Sequence, residues 1–332
     1  MKPKVFISRP IPPEVEHYLA EHCEIRKWEG DEPITRAQLL ASLSDVEGLL
    51  TADRSINQEL LDHAPKLKVV SNISVGYNNF DLEAMKARGV LGTNTSAVLN
   101  DTVADLIFAL MLDVARRVSE LDRYVKAGKW KRGDGQNLFG LDVHHKKLGI
   151  IGMGEIGEAV AHRGQFGFGM QVLYHNRSRK PEAEARLGAV YCTLDELLKE
   201  ADFIVLITPL TPETRKLIGA REFALMKPTA VFVNASRGAT VDEQALTAAL
   251  QNRQIYGAGL DVFEKEPIDP DHPLLKLPNV VTLPHIGSAT DQTRRQMAMR
   301  AAENLVAALE GRTPPSLVKE LRPDAPDQNS NR

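Results

Sequence analysis

Apolar residues along this chain gather in short runs separated by amphipathic stretches. "KVFIS", "EGLLT", "LKVVSNIS", "LGIIG", "QVLYH", "DFIVLIT", "AVFVNAS" and "VVTLP" have the length and the Val/Ile/Leu content of buried strands. Between them, "PEVEHYLAEH", "INQELLDHA", "LDELLKE" and "DEQALTAAL" place apolar residues at helical spacing. This alternation predicts an α/β fold, with parallel sheets covered by helices. Two helical patterns are longer. "NDTVADLIFALMLDVARRVSELDRYVKAGKW" predicts one helix over 101–127, capped by Asp101 or Thr102 and ending near Gly128. "SATDQTRRQMAMRAAENLVAALEG" predicts another after the last strand. The simplest layout lets the chain cross between lobes near residues 100 and 287, with a site in the cleft. The expected architecture is therefore two doubly wound parallel-sheet lobes, residues 1–99 with 288–332 and residues 100–287. In the first long helix Val103, Leu106, Ile107, Phe108, Leu110, Met111, Leu112 and Val114 spread over more than one face. Such a helix should be buried on several sides, and a homodimer built around it is expected. The tail "RPDAPDQNSNR" is polar and is expected to be disordered.

Composition narrows the function. A length of 332 residues suits about two domains. A net charge of -3 gives no broad attraction for nucleic acid or an anionic membrane, so recognition of an anion must be local. Two cysteines, Cys23 and Cys192, make no disulfide framework, which fits a reducing cytoplasm. The apolar run at the N-terminus is too short for a signal peptide. Asp105 and Asp113 interrupt "VADLIFALMLDVA", which argues against a membrane span. His144 and His145 lack a third ligand at metal-like spacing, so no metal is expected.

The chemistry starts at "KLGIIGMGEIG", where a strand runs into Gly152-Met153-Gly154-Glu155-Ile156-Gly157 and then a helix. The first glycine permits the tight turn, the second lets a pyrophosphate approach, and the third allows close helix–strand packing. The helix N-terminus offers oriented N–H donors to phosphate. At the end of the next strand, where an acid would bind the ribose hydroxyls of NAD, stand Asn176, Arg177, Ser178 and Arg179. Removing the acid removes its repulsion of a 2′-phosphate, and the basic residues can donate to one. NADP(H) is the expected cofactor, with NAD(H) as the alternative. Further along, "VFVNASRG" places Arg237 after a strand, "GAGLDVFEKEP" carries Asp261 and Glu266, and "VVTLPHIGSAT" carries His285. Reducing a keto group needs a proton donor beside the carbonyl oxygen, and histidine titrates in the right range. A paired carboxylate would keep that imidazole protonated. An arginine fork can clamp a substrate carboxylate.

Four ordered motifs, "GIIGMGEIG", "NASRG", "GLDVFEKEP" and "LPHIGSAT", resemble the signatures of the D-isomer-specific 2-hydroxyacid dehydrogenases. "SNISVGYNNFD" and "TVADLIFALML" extend the resemblance over nearly the whole chain. "DVHHKKLGIIGMG", "LYHNRSRK" and "PLTPETRKLIG" are most similar to bacterial glyoxylate/hydroxypyruvate reductases of the 2-ketoacid, or 2-ketogluconate, reductase type. The resemblance implies a Rossmann dinucleotide-binding domain inserted in a flavodoxin-like substrate domain. It implies reduction of small 2-keto acids (glyoxylate, hydroxypyruvate or 2-ketogluconate) to D-2-hydroxy acids. Arg237 then binds substrate, Glu266 pairs with the histidine, and His285 donates the proton. Val75 and Gly76 offer backbone N–H groups to the substrate carboxylate. Thr102, Thr208, Pro209, Ala235, Ser236, Asp261 and Gly287 join the glycine turn around the cofactor. Relatives often carry a Trp where this chain has Leu138 and Phe139, which changes one wall of the pocket. Two other readings compete: a non-catalytic, corepressor-like dinucleotide sensor, and a family dehydrogenase acting on phosphoglycerate, formate or phosphite.

Overall fold

The structure, a computed structural model, describes residues 2–52 and 54–322. The predicted disorder of the tail concerns, from residue 323 onward, residues outside that range. The described residues form two compact units, one from the ranges 2–99 and 290–322, the other from residues 100–289.

The first unit holds β1 (Lys4–Ile7), β2 (Glu24–Lys27), β3 (Gly48–Thr51), β4 (Val69–Asn72) and β5 (Leu91–Thr93). All pair in parallel, in the order β2-β1-β3-β4-β5. This is the flavodoxin-like doubly wound order. The helix Asp291–Leu309 lies on β3 and β4, and the missing side chain of Gly48 admits Leu305 and Leu309. The Thr290 hydroxyl caps that helix by accepting the Thr293 N–H.

The second unit holds β6 (Lys147–Ile151), β7 (Gln171–His175), β8 (Val190–Tyr191), β9 (Phe203–Leu206), β10 (Val231–Asn234), β11 (Gly257–Leu260) and β12 (Val280–Thr282). They too are parallel, ordered β12-β11-β10-β9-β6-β7-β8. Numbered from β6, the order is that of a Rossmann sheet with one further strand. Its topological switch point lies between β6 and β9, so a ligand is expected at their carboxyl ends.

The first long helix departs from its predicted course. It runs only over Asn100–Arg116, and a second helix occupies Val118–Lys126. Asp101 and Thr102 lie inside it rather than capping it. Arg117 sits between the two in the left-handed region, at φ 57°. Neither glycine nor proline marks the break, which polar contacts hold instead. Asp113 accepts the N–H of Ser119 at 2.7 Å, and Arg117 grips both oxygens of Glu120 at 2.6 and 2.8 Å. Within its own unit the first helix buries Val103, Ile107, Phe108, Leu110, Met111 and Val114, and leaves Leu106 and Leu112 half-buried. Leu110 packs where Gly259 has no side chain, Val114 where Gly257 has none, and Phe108 stacks on Phe168 at 5.0 Å. Among the described residues no helix is long and apolar enough to cross a membrane.

Candidate active site

At the carboxyl end of β6 the chain takes the turn that its glycines allow. Gly152 has φ +107°, and a side chain there would strike the Ile207 carbonyl just past neighbouring β9. A side chain at Gly157 would lie 2.4 Å from the Gly152 carbonyl oxygen. Gly154 has open space in front of it and begins the helix Glu155–His162 with no side-chain cap. First-turn N–H groups without a cap face an approachable surface, as a pyrophosphate requires. The Thr208 hydroxyl, at the end of β9, is buried without a hydrogen-bond partner. An open glycine face, an uncapped helix start and an orphaned hydroxyl at the switch point together fit a dinucleotide.

Asn176 does more than leave out an acid. Its Oδ1 accepts the Met153 N–H at 2.7 Å and its Nδ2 donates to the Met153 carbonyl at 3.2 Å, so it braces the glycine turn. The basic residues divide. Arg179 donates to both oxygens of Glu184, at 3.0 and 2.5 Å, and Glu184 also accepts the Tyr174 hydroxyl at 2.6 Å. Arg177 and Ser178 are exposed and make no side-chain hydrogen bond among the described residues. Of the two arginines expected to meet a phosphate, Arg179 is already committed.

The loops after β10, β11 and β12 carry Arg237, Glu266 and His285 to one place. Gly238 lies so close to the Phe263–Glu264 backbone that any side chain would overlap it. That contact seats Arg237 against the loop bearing Glu266. Ser236 is buried, and its hydroxyl is spent on Asn234 and Thr240, so it braces the arginine loop from within. Glu266 accepts the Phe263 N–H at 3.0 Å with one oxygen and meets His285 Nδ1 at 2.7 Å with the other. Burial alone would raise the Glu266 carboxyl. The hydrogen bond from His285, the Phe263 amide and the charges of His285 and Arg237 hold it below its ordinary range. The bond to Glu266 raises the His285 imidazole, with burial and Arg237 opposing and the charges of Glu266 and Asp261 adding.

His285 sits at φ +53°, a left-handed conformation that a non-glycine residue rarely adopts without enforcement. Asp261, at the end of β11, supplies it: its two oxygens accept the N–H groups of Ile286 and Gly287, each at 2.8 Å. Sequence reasoning placed Asp261 at the cofactor but missed this clamp, because the pairing spans strands 25 residues apart. The bracing role of Asn176 was missed for the same reason. Thr102 is half-buried near the start of its helix, Ala235 follows β10, and Pro209 is exposed. Val75 and Gly76 belong to the first unit, on the loop after β4, and their backbone N–H groups have no acceptor among the described residues. No group of three or more His, Cys, Asp or Glu among the described residues could hold a metal ion.

Similarity to known proteins agrees with this geometry. The family model for the NAD-binding domain of D-isomer-specific 2-hydroxyacid dehydrogenases matches residues 108–287. A glyoxylate/hydroxypyruvate reductase B of Klebsiella pneumoniae is 52% identical over 311 residues, 94% of this chain and 96% of its own. Among solved structures, an NADPH-dependent glyoxylate/hydroxypyruvate reductase of Sinorhizobium meliloti, in complex with NADP and malonate, is 34% identical. It aligns with a TM-score of 0.84 over 97% of this chain and 98% of that one. A glyoxylate reductase of Paecilomyes thermophila is 31% identical, with a TM-score of 0.88 over 97% and 99% of the two chains. The chain belongs to the D-isomer-specific 2-hydroxyacid dehydrogenases.

Proposed function

We propose that the protein is an NADPH-dependent reductase of small 2-keto acids, glyoxylate and hydroxypyruvate foremost, that forms D-2-hydroxy acids. The observation that carries this reading is the 2.7 Å pair between His285 and Glu266 beside Arg237. When bound, the nicotinamide dinucleotide supplies the hydride. Glu266 occupies His285 Nδ1, which leaves Nε2–H as the proton donor to the keto oxygen. Arg237 orients the substrate and draws charge onto that oxygen. The free N–H groups of Val75 and Gly76 receive its carboxylate. The glycine turn, braced by Asn176, holds the pyrophosphate, and Arg177 with Ser178 meets the 2′-phosphate. Two unpaired cysteines, with the Cys23 thiol pushed up to about 11 by burial, suit a reducing cytoplasm. The chain forms a homodimer through the segment 118–139, where Val118, Val125, Trp130 and Phe139 are 52–68% exposed. These exposed side chains, with the half-buried Leu106 and Leu112 on the helix before them, are the reason to expect a partner.

Purified protein should oxidise NADPH in the presence of glyoxylate or hydroxypyruvate, and His285→Ala should lower kcat by about 10²–10⁴-fold. Because the histidine is raised by its partner, its acid form persists above the ordinary range. Reduction should therefore hold steady at low pH and fall as pH rises through the raised value, while oxidation of the hydroxy acid should rise over the same interval. Activity of His285→Ala within a few-fold of wild type would remove the proton-donor role.

Discrimination between cofactors should fall on KM, since the 2′-phosphate lies far from the reacting carbon. One or two charge-assisted contacts predict an NADPH preference of roughly ten- to several-hundred-fold in kcat/KM. Arg177→Ala should erode it while sparing NADH, and Arg179→Ala should change it much less. Asn176→Asp should weaken both cofactors, because a carboxylate would face the Met153 carbonyl. Equal use of NADH by the wild type would refute this assignment.

In sedimentation at micromolar concentration the protein should run as a dimer, and Trp130→Glu combined with Phe139→Glu should shift it to monomer. A monomeric wild type would contradict the proposed interface.

A further inference from the structure

After β4 the chain turns through Ser74, Val75, Gly76 and Tyr77, and each carbonyl of this turn is held by a donor. The Thr95 N–H donates to the Ser74 carbonyl at 2.9 Å. Asn94 Nδ2 donates to the Val75 carbonyl, also at 2.9 Å. The Ser74 hydroxyl and Asn72 Nδ2 donate to the Gly76 carbonyl at 2.6 and 3.2 Å. In a planar trans peptide the carbonyl and the next residue's N–H point in opposite directions. Holding three successive carbonyls therefore sets the direction of the N–H groups of Val75, Gly76 and Tyr77. Among the described residues none of these three donors has an acceptor. A run of preset backbone donors is a receptor for an anion.

Asn94 stands at the centre of this frame and is itself fixed. Its N–H donates to the Ser316 carbonyl at 3.1 Å, and its carbonyl accepts Asn304 Nδ2 at 2.8 Å. Asn304 Oδ1 accepts the Ser316 N–H at 2.9 Å, which closes the bridge from β5 to the helix Asp291–Leu309. Asn304 is 0% exposed on that helix, and a buried amide satisfied at both ends is a rigid mount.

We propose that Asn94 is a positioning residue for substrate, acting through the Val75–Gly76 peptide to aim the Gly76 N–H at the keto acid's carboxylate, with Asn304 as its anchor. The proposal rests on the reading that this loop receives the carboxylate. It assigns part of the enzyme's recognition of carboxylates to a side chain that never touches the substrate.

The test compares wild type with Asn94→Ala and with Asn94→Asp, which keeps the shape but turns an acceptor toward the Val75 carbonyl. KM for glyoxylate should rise roughly ten- to a hundred-fold, the value of one charge-assisted bond. kcat should stay within about threefold, and NADPH affinity should not move. Calorimetry of oxalate binding to the enzyme–NADP⁺ complex should show the same loss in both variants. Unchanged KM and oxalate affinity in variants that melt like wild type would overturn the proposal. So would a loss falling equally on kcat and on NADPH binding, the mark of general damage. Should wild type fail to reduce any keto acid, the functional reading falls, and the oxalate comparison still decides the role of Asn94.

Discussion

Much of the geometry around Glu266 and His285 depends on one buried carboxylate. Asp261 is 2% exposed, and burial raises its carboxyl, with the two amide hydrogen bonds pulling the other way. Those two N–H groups belong to the residues immediately after His285. By taking both, Asp261 dictates where the chain must be at Ile286 and Gly287, and His285 is left to absorb the turn in a left-handed conformation. Gly287 suits this spot, because a side chain there would come to a tight 3.1 Å from the carboxylate, which would have to give way slightly. The imidazole thus meets Glu266 from a backbone position that the loop would not hold unaided. Strain of this kind, over-determined by its surroundings, is how a fold presents a side chain at a fixed angle.

The same device recurs at lower cost elsewhere. Asn176 fixes the glycine turn by binding both polar groups of Met153, Asn234 pins the Ser236 loop, and Asn94 holds the Val75 carbonyl. Each stands at or just past the end of a strand, where backbone groups leave the sheet ladder and need new partners. Short amides and carboxylates suit the task because they carry two hydrogen-bonding atoms on a stiff stem. The loops at the carboxyl ends of these strands are therefore ordered by polar contacts, while the sheets beneath them are ordered by apolar burial.

This division explains what could be read from the sequence. Burial leaves a periodic trace, so the α/β class, the parallel sheets and eight of the twelve strands were legible as apolar runs. β2 reads "EIRK" and lies exposed at a sheet edge, β5 and β8 are three and two residues long, and β11 contains two glycines that make room for Leu110 and Val114. None of these carries an apolar run. The family was legible because its motifs carry the required residue types in order. Polar geometry leaves no such trace. The helix break at Arg117 depends on Asp113 and Glu120, and the withdrawal of Arg179 depends on Glu184 meeting both it and Tyr174. Residue type could nominate a phosphate ligand, but only the packed structure shows which arginine is already engaged.

The proposed proton-donor role of His285 rests on Glu266 raising its imidazole and on the loop conformation that brings the two together. The most direct check is an NMR titration of the His285 ring in wild type and in Glu266→Gln. The wild-type midpoint should lie above the ordinary histidine value of about 6.5, and should fall clearly when the carboxylate becomes a neutral amide. A wild-type midpoint at or below the ordinary value, or one unmoved by Glu266→Gln, would contradict that role.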